Sequence, residues 1–240
     1  MLHVRGLVMG YGGEPVLDGC DLDVEAGEFV SLVGPSGSGK TSVLRAVTGL
    51  TRPQHGTVDI DIAAHEIGYL FQDDALLPWR TTLENVALGL RIRGVTRGAA
   101  EDTAARWLAR LGLERFGNRY PRQLSGGQRK RVAIAQVLAL QPKLLLMDEP
   151  FSSLDAIVRM RVTEELLEWV EREHLTVLIV THDLEEAISL SDVVYVLSQG
   201  PRATIRSRHA IGIARPRHVL ESRGDPQFGP LLRLLWSELS

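Results

Sequence analysis

Residues 34 to 41 read GPSGSGKT and fit the spacing G-x-x-x-x-G-K-[ST]. Glycines at these positions let the chain fold tightly enough for successive backbone N–H groups to point inward. A helix following directly adds partial positive charge at its N-terminus, and the two together make an anion cradle. Gly34, Pro35, Ser36, Gly37, Ser38 and Gly39 would form the cradle, Lys40 would reach the β- and γ-phosphate oxygens, and the Thr41 hydroxyl would ligate Mg²⁺. A Gly/Ser-rich turn before a helix could carry similar letters. The apolar run EFVSLVG before it and the helical period of SVLRAVTGL after it supply the strand–loop–helix setting that a phosphate loop requires.

A second group of chemical residues ends the run LLLMDEP, where Asp148 and Glu149 stand side by side before Pro150. Two carboxylates at the end of a buried strand are costly to ionise unless positive charge lies nearby, and a metal with its nucleotide would supply it. Asp148 would hold the metal through water, and Glu149 would orient or deprotonate an attacking water. A third group, LSGGQ at 124 to 128, places Ser-Gly-Gly at the start of another helix. That is a second candidate anion-binding N-terminus, or simply a helix cap with flexible glycines. One nucleotide needs one phosphate loop, so a second cradle hints at a nucleotide bound to another copy of the chain.

The elements that must hold these residues are legible as patterns. LHVRGLVM, VLDGCDLDVE and EFVSLVG read as short strands separated by glycine turns, the first two antiparallel, the third buried. IGYLF, KLLLMDEP and LTVLIVTHD are apolar on both faces, as central strands of a parallel sheet are. Between IGYLF and KLLLMDEP, residues 73 to 140 show no strand but three helical periods, TTLENVALGLRIRG, GAAEDTAARWLARLG and GGQRKRVAIAQVLALQ. VVYVLS and ATIRSRHAIGI read as closing strands and PQFGPLLRLLWSEL as a terminal amphipathic helix. The expected fold is therefore α/β, a mainly parallel sheet with an N-terminal antiparallel part and an inserted helical segment.

Composition agrees with that class and excludes others. In 240 residues, 44% are apolar and 24% charged, the balance of an ordinary folded domain. The net charge of −3 gives no overall pull toward nucleic acid, the run Arg129, Lys130, Arg131 being local. A single cysteine, Cys20, permits no internal disulfide and reads as a small buried hydrophobe in a reducing cytoplasm. No apolar run approaches membrane-spanning length and the N-terminus lacks the pattern of a leader, so a soluble, unprocessed chain is expected. The seven histidines form no H-E-x-x-H or Cys/His cluster.

Over nearly its whole length the chain resembles the nucleotide-binding subunit of an ATP-binding cassette transporter. GPSGSGKT resembles the Walker A loop of a P-loop NTPase, Gln72 in LFQDD the Q-loop, and LSGGQ the signature. LLLMDEP resembles the Walker B strand, SSLD at 152 to 155 the D-loop, and His182 in VTHD the switch histidine. The resemblance implies a RecA-like core with its antiparallel part over 1–72 and 141–215, a helical signature subdomain over 73–140 and a helical tail over 216–240. It also implies a homodimer stacked head to tail, with each ATP held by the Walker A loop of one copy and by Ser125, Gly126, Gly127 and Gln128 of the other. Gln72 would sense Mg²⁺ and the attacking water, His182 would touch the γ-phosphate, Asp155 would cross the interface, and Tyr11 would stack on adenine. ATP rather than GTP is chosen by the resemblance, not by the phosphate loop.

Leu76-Leu77-Pro78-Trp79 is unusually apolar for a loop, and either covers the protein's own core or receives a short helix of a membrane partner with Trp79 as anchor. Its wording, and the tail ARPRHVLESRGDPQF, resemble importers of the nitrate, sulfonate and taurine group. That likeness implies permease partners, an extracytoplasmic solute-binding protein and a place on the cytoplasmic face of the membrane. An exporter or lipid-handling subunit is the alternative; a soluble cassette ATPase acting on nucleic acid or ribosomes, or a small-molecule kinase, fits less well. The chain departs from the family at Gln136, where Arg is usual, in PFSSLD, and in the short segment GTVDIDIAAHEIGYLF, whose usual hairpin is expected to be trimmed. None of these touches a phosphate-binding or hydrolytic position.

Overall fold

The computed structural model describes residues 1–152 and 154–239. Strands β1 (Leu2–Met9), β2 (Leu17–Val24) and β3 (Phe29–Val33) precede helix α1 (Lys40–Val47), then β4 (His55–Ile60) and β5 (Ile67–Leu70) follow. Helices α2 (Thr82–Ile92), α3 (Arg97–Arg110) and α4 (Gly126–Leu138) come next, then β6 (Leu144–Asp148), α5 (Ala156–Glu173), β7 (Thr176–Thr181) and α6 (Leu184–Leu190). Strands β8 (Val193–Leu197) and β9 (Ile205–Ala210) and helices α7 (Val219–Ser222) and α8 (Phe228–Leu239) complete the order.

Alternation of side chains explains the layers. The large sheet runs β5-β6-β7-β3-β8-β9, with every neighbouring pair parallel except β8 and β9. On β6, Leu145 and Met147 face the helical layer while Leu144 and Leu146 face the antiparallel sheet, and Val177 and Ile179 alternate with Leu178 and Val180 on β7 in the same way. Both faces are therefore buried, which is why these strands read as continuous apolar runs. The smaller sheet, β2-β1-β4, covers one face and packs Leu2, Val4, Leu7 and Leu22 against the parallel strands. Burial of this kind contributes about 25 cal/mol per Å² of apolar surface.

Strand β4 is an element that the sequence patterns did not reveal. It lies at the edge of the small sheet, paired with β1, and a single 3₁₀ turn at Ala64–Glu66 leads from it toward β5. Its exposed, Gly-containing residues carry little apolar periodicity. Cys20 is buried as expected, its Sγ–H donating to the Ala203 carbonyl, and burial pushes the thiol up to about 11. At the other end α8 closes the chain, packing Phe228 and Leu235 with Ile188, Val194 and Val196. Among the described residues no helix is long and apolar enough to cross a membrane.

Candidate functional site

Parallel strands bring their C-terminal ends to one edge, and in open α/β sheets that edge is where ligands bind. Val33, Asp148 and Thr181 end β3, β6 and β7, which are neighbours in the sheet. The phosphate loop leaves the first of these, Glu149 follows the second and His182 the third. Between them lies a cavity of about 640 Å³, lined among others by Tyr11, Ser36, Gly37, Lys40, Gln72, Glu149 and His182.

The loop is built as its residues dictate. Gly37 and Gly39 have φ of 78° and 94°, the left-handed region in which a side chain is strained. A Cβ on Gly39 would also stand 2.7 Å from Leu17 Cδ2, so the loop can sit against the start of β2 only without one. Lys40 Nζ donates to the carbonyls of Gly34 and Pro35, both at 2.8 Å, folding its stem over the loop. Burial lowers the ammonium's pKa while Glu149 and Asp148 oppose that shift. Ser38 is fully buried and its Oγ has no partner among the described residues.

Asp148 lies directly beneath the first turn of α1. Its Oδ1 accepts from Thr41 Oγ1 at 3.0 Å and its Oδ2 from the Tyr69 hydroxyl at 3.4 Å. Desolvation holds its carboxyl above the ordinary range, with the neighbouring Glu149 adding to the effect, while the two hydroxyl bonds oppose it. Such a carboxylate gains most when a cation joins it. Hydroxyl, carboxylate and amide oxygens are hard donors that suit Mg²⁺ rather than a thiolate-seeking metal. With an orphaned Ser38 hydroxyl, a lysine turned onto carbonyls and a glycine cradle, the residues present fit a Mg²⁺-nucleotide.

Glu149 carries φ of 42°, rare for a residue with a side chain. Its N–H donates to the Val180 carbonyl at 2.8 Å and its own carbonyl accepts from Ser152 Oγ at 3.0 Å. These bonds hold the carboxylate at the strand end, where one oxygen meets His182 Nδ1 at 3.2 Å. Tyr11 is exposed on the other side, its hydroxyl 3.0 Å from Ser42 Oγ.

Other predicted residues stand elsewhere. Ser125, Gly126, Gly127 and Gln128 open α4 and do not line this cavity. Ser125 Oγ accepts from the Gln128 N–H at 3.3 Å and Gln128 Oε1 accepts from the Ser125 N–H at 2.9 Å, a reciprocal cap. The plain helix-cap interpretation therefore holds within one chain. Gly127 packs closely on α5, where a Cβ would lie 3.0 Å from Val158 Cγ1 and force that side chain to shift. Asp155 caps α5, its Oδ1 accepting from the Val158 N–H at 3.1 Å. Ser153, in the SSLD stretch, lies outside the described residues. Gln136 faces β5 beside Gly68 and Tyr69, away from the phosphate loop.

Sequence reasoning missed Tyr69, Ser42 and Val16, all supporting or lining the site. Tyr69 is hidden within an apolar strand pattern. Leu76 packs against the helical core as its apolar character suggests, whereas Trp79 is 71% exposed.

A family model described as ABC transporter matches residues 17–152. The chain is 42% identical over 238 residues to the aliphatic sulfonates import ATP-binding protein SsuB 2 of Rhizobium johnstonii, covering 99% of this chain and 90% of that one. It is 40% identical over 237 residues to the taurine import ATP-binding protein TauB of Escherichia coli K12, covering 95% and 92%. Among solved structures, the dimeric bacterial ABC transporter cassette MJ0796 is similar with a TM-score of 0.79 and 32% identity, over 89% of this chain and all of that one. The same figures hold for a dimeric post-hydrolysis state of that cassette bound to ADP and Pi.

Proposed function

The chain belongs to the ABC transporter family, and from that premise we propose that it is the ATPase subunit of an importer, turning ATP and water into ADP and phosphate to drive a membrane permease. The observation that carries this is the meeting of Glu149 and His182 at the open side of the phosphate-loop cavity. A carboxylate beside an imidazole, facing a lysine and a hydroxyl–carboxylate pair, is equipped to attack a phosphoryl group with water.

In this reading the amides of 36 to 41 and the Lys40 ammonium bind the phosphates, and Tyr11 offers its ring to the base. Thr41 and Asp148, with Gln72, would hold Mg²⁺, whose positive charge would offset that of the phosphates. Glu149 orients the attacking water and takes up its proton, while His182 Nδ1 holds the carboxylate and the ring contacts the γ-phosphate. Positioning and charge stabilisation then account for most of the rate.

Ser125, Gly126, Gly127, Gln128 and Asp155, exposed or turned away from the cavity of their own chain, serve the site of a second copy. The dimeric cassettes of similar fold support that arrangement. Residues 73–140 act as the helical subdomain presenting the signature, 1–72 and 141–215 as the nucleotide core and 216–240 as the tail. Trp79 addresses the permease, and the cargo is a small solute of the nitrate, sulfonate and taurine kind, the names of the relatives supporting sulfonate or taurine import; an extracytoplasmic binding protein would deliver it.

The test is phosphate release from ATP with Mg²⁺ and no acceptor, measured against protein concentration. Specific activity should rise as monomers pair. Full activity from a strict monomer would overturn the shared-site reading, and no activity without an acceptor would overturn hydrolysis.

A further inference from the structure

Lys130 is 0% exposed, on the second turn of α4. Lysines are almost never fully buried without compelling partners, because removing an ammonium from water costs several kcal/mol. Its partners all lie on one loop. Nζ donates to the Gln72 carbonyl at 2.8 Å and to the Phe71 carbonyl at 3.1 Å, and stands 3.9 Å from Asp74 Oδ1. Two of the ammonium's three donors go to these carbonyls, and the Asp74 carboxylate at 3.9 Å adds an ion pair rather than a third hydrogen bond.

The clamp is reinforced from the start of the helix. Arg129 Nε donates to the other Asp74 oxygen at 3.1 Å, and its Nη1 to the Leu124 carbonyl at 2.9 Å, just before Ser125. Farther along the loop Asn85 of α2 accepts from the Leu77 N–H at 2.7 Å and donates to the carbonyls of Leu77, Arg80 and Thr81. Both ends of the stretch 71–81 are thus tied to the helical layer, although the stretch leaves β5 of the parallel sheet. Gln72 lines the phosphate-loop cavity while its backbone belongs to the helices.

We propose that Lys130, backed by Asp74 and Arg129, is a positioning residue that makes Gln72 ride with α4, so that the helix carrying Ser125 to Gln128 sets where this glutamine stands relative to Lys40 and Glu149. This deepens the proposed function and rests on it: if the start of α4 engages the partner's nucleotide, one buried ammonium links each site's water-positioning glutamine to occupancy of the other site.

The test uses Lys130→Met, which keeps the stem's volume and removes every donor, in the full-length protein. ATP affinity should stay within about twofold, while kcat falls about tenfold, because a small misplacement of an orienting group is costly. In a Gln72→Ala background the same substitution should change kcat by less than about twofold, since coupled residues are non-additive. Lys130→Gln, whose amide can donate to one carbonyl, should recover part of the loss. An unchanged kcat, or an equal fall in both backgrounds, would overturn the proposal, the latter because it marks general loss of packing.

Should Lys130→Met fail to fold, Asp74→Asn, at the outer end of the clamp, replaces it in the same comparison. Amide hydrogen exchange at residues 71 to 75 in nucleotide-free protein reads the clamp without any turnover: exchange should quicken in the variant, and unchanged protection would overturn the clamp. Absence of wild-type ATPase would strike the proposed function alone.

Discussion

His182 Nδ1 lies 3.2 Å from Glu149 Oε2, each residue standing one position past the end of its strand. The two strands are adjacent and parallel, with Asp148 opposite Val180, so β7 ends one residue beyond β6 and the side chains that follow the two ends converge. Parallel register thus makes the pair, and the positive φ of Glu149 turns its carboxylate to the cavity side.

Glu149→Gln should preserve ATP binding and lower turnover by at least about 100-fold, the range of a positioned general base. ATP-bound dimer should then accumulate, visible by light scattering. His182→Ala should move turnover in the same direction. Wild-type phosphate release from Glu149→Gln would remove this residue from its role.

Lys40→Ala removes the ammonium that the proposed function assigns to phosphate and that here donates to the carbonyls of Gly34 and Pro35. Hydrogen bonds to charged groups contribute about 1.5–3 kcal/mol, so nucleotide affinity should fall roughly 10- to 100-fold. Equilibrium titration with a fluorescent ATP analogue measures this, and an unaltered Kd would count against the phosphate-loop assignment.

Trp79→Ala concerns a ring that is largely in solvent in the isolated subunit. Surface changes of this sort shift stability by only about 0.5 kcal/mol, so the thermal midpoint should hardly move. Co-purification with the permease should drop about tenfold or more, as expected of an aromatic anchor. Intact assembly would assign docking to another surface.

Glu186 is pushed up to about 7, chiefly by burial, with Asp183 and Glu149 adding repulsion while Thr181 and Arg159 oppose it. Because the folded value exceeds the unfolded one, the fold favours the protonated carboxyl. That stabilisation is complete below the unfolded value near 4.5 and is lost as pH rises through about 7. Relative to Glu186→Gln, the wild type should therefore lose stability between about pH 4.5 and 7 and level off above, by at most about 3.5 kcal/mol at about 1.4 kcal/mol per unit. Thermal midpoints of the two proteins between pH 5 and 8.5 measure the difference. Parallel curves would return Glu186 to the ordinary carboxylate range.

Much of the fold was legible in local patterns. The strands of the parallel sheet announce themselves because burial on both faces demands unbroken apolar runs, as in Leu144–Asp148 and Thr176–Thr181. Helices α2 and α4 begin where Thr81 with Glu84 and Ser125 with Gln128 spell reciprocal caps. Strand β4 was silent because an edge strand with mostly exposed residues needs no periodicity. Tyr69 was silent because a strand pattern reports which face a residue occupies, not which hydrogen bond its hydroxyl makes.

By itself the sequence determined the loop proposed here to cradle phosphate, because its tight glycine turn, its lysine and the helix N-terminus are contiguous and their chemistry is local. Only the tertiary structure decided which distant groups complete it. Glu149 meets His182 through the register of two strands, and Lys130 reaches the Gln72 carbonyl because a helix packs over the loop that leaves β5. Such meetings depend on how layers stack, a property that no run of neighbouring residues encodes.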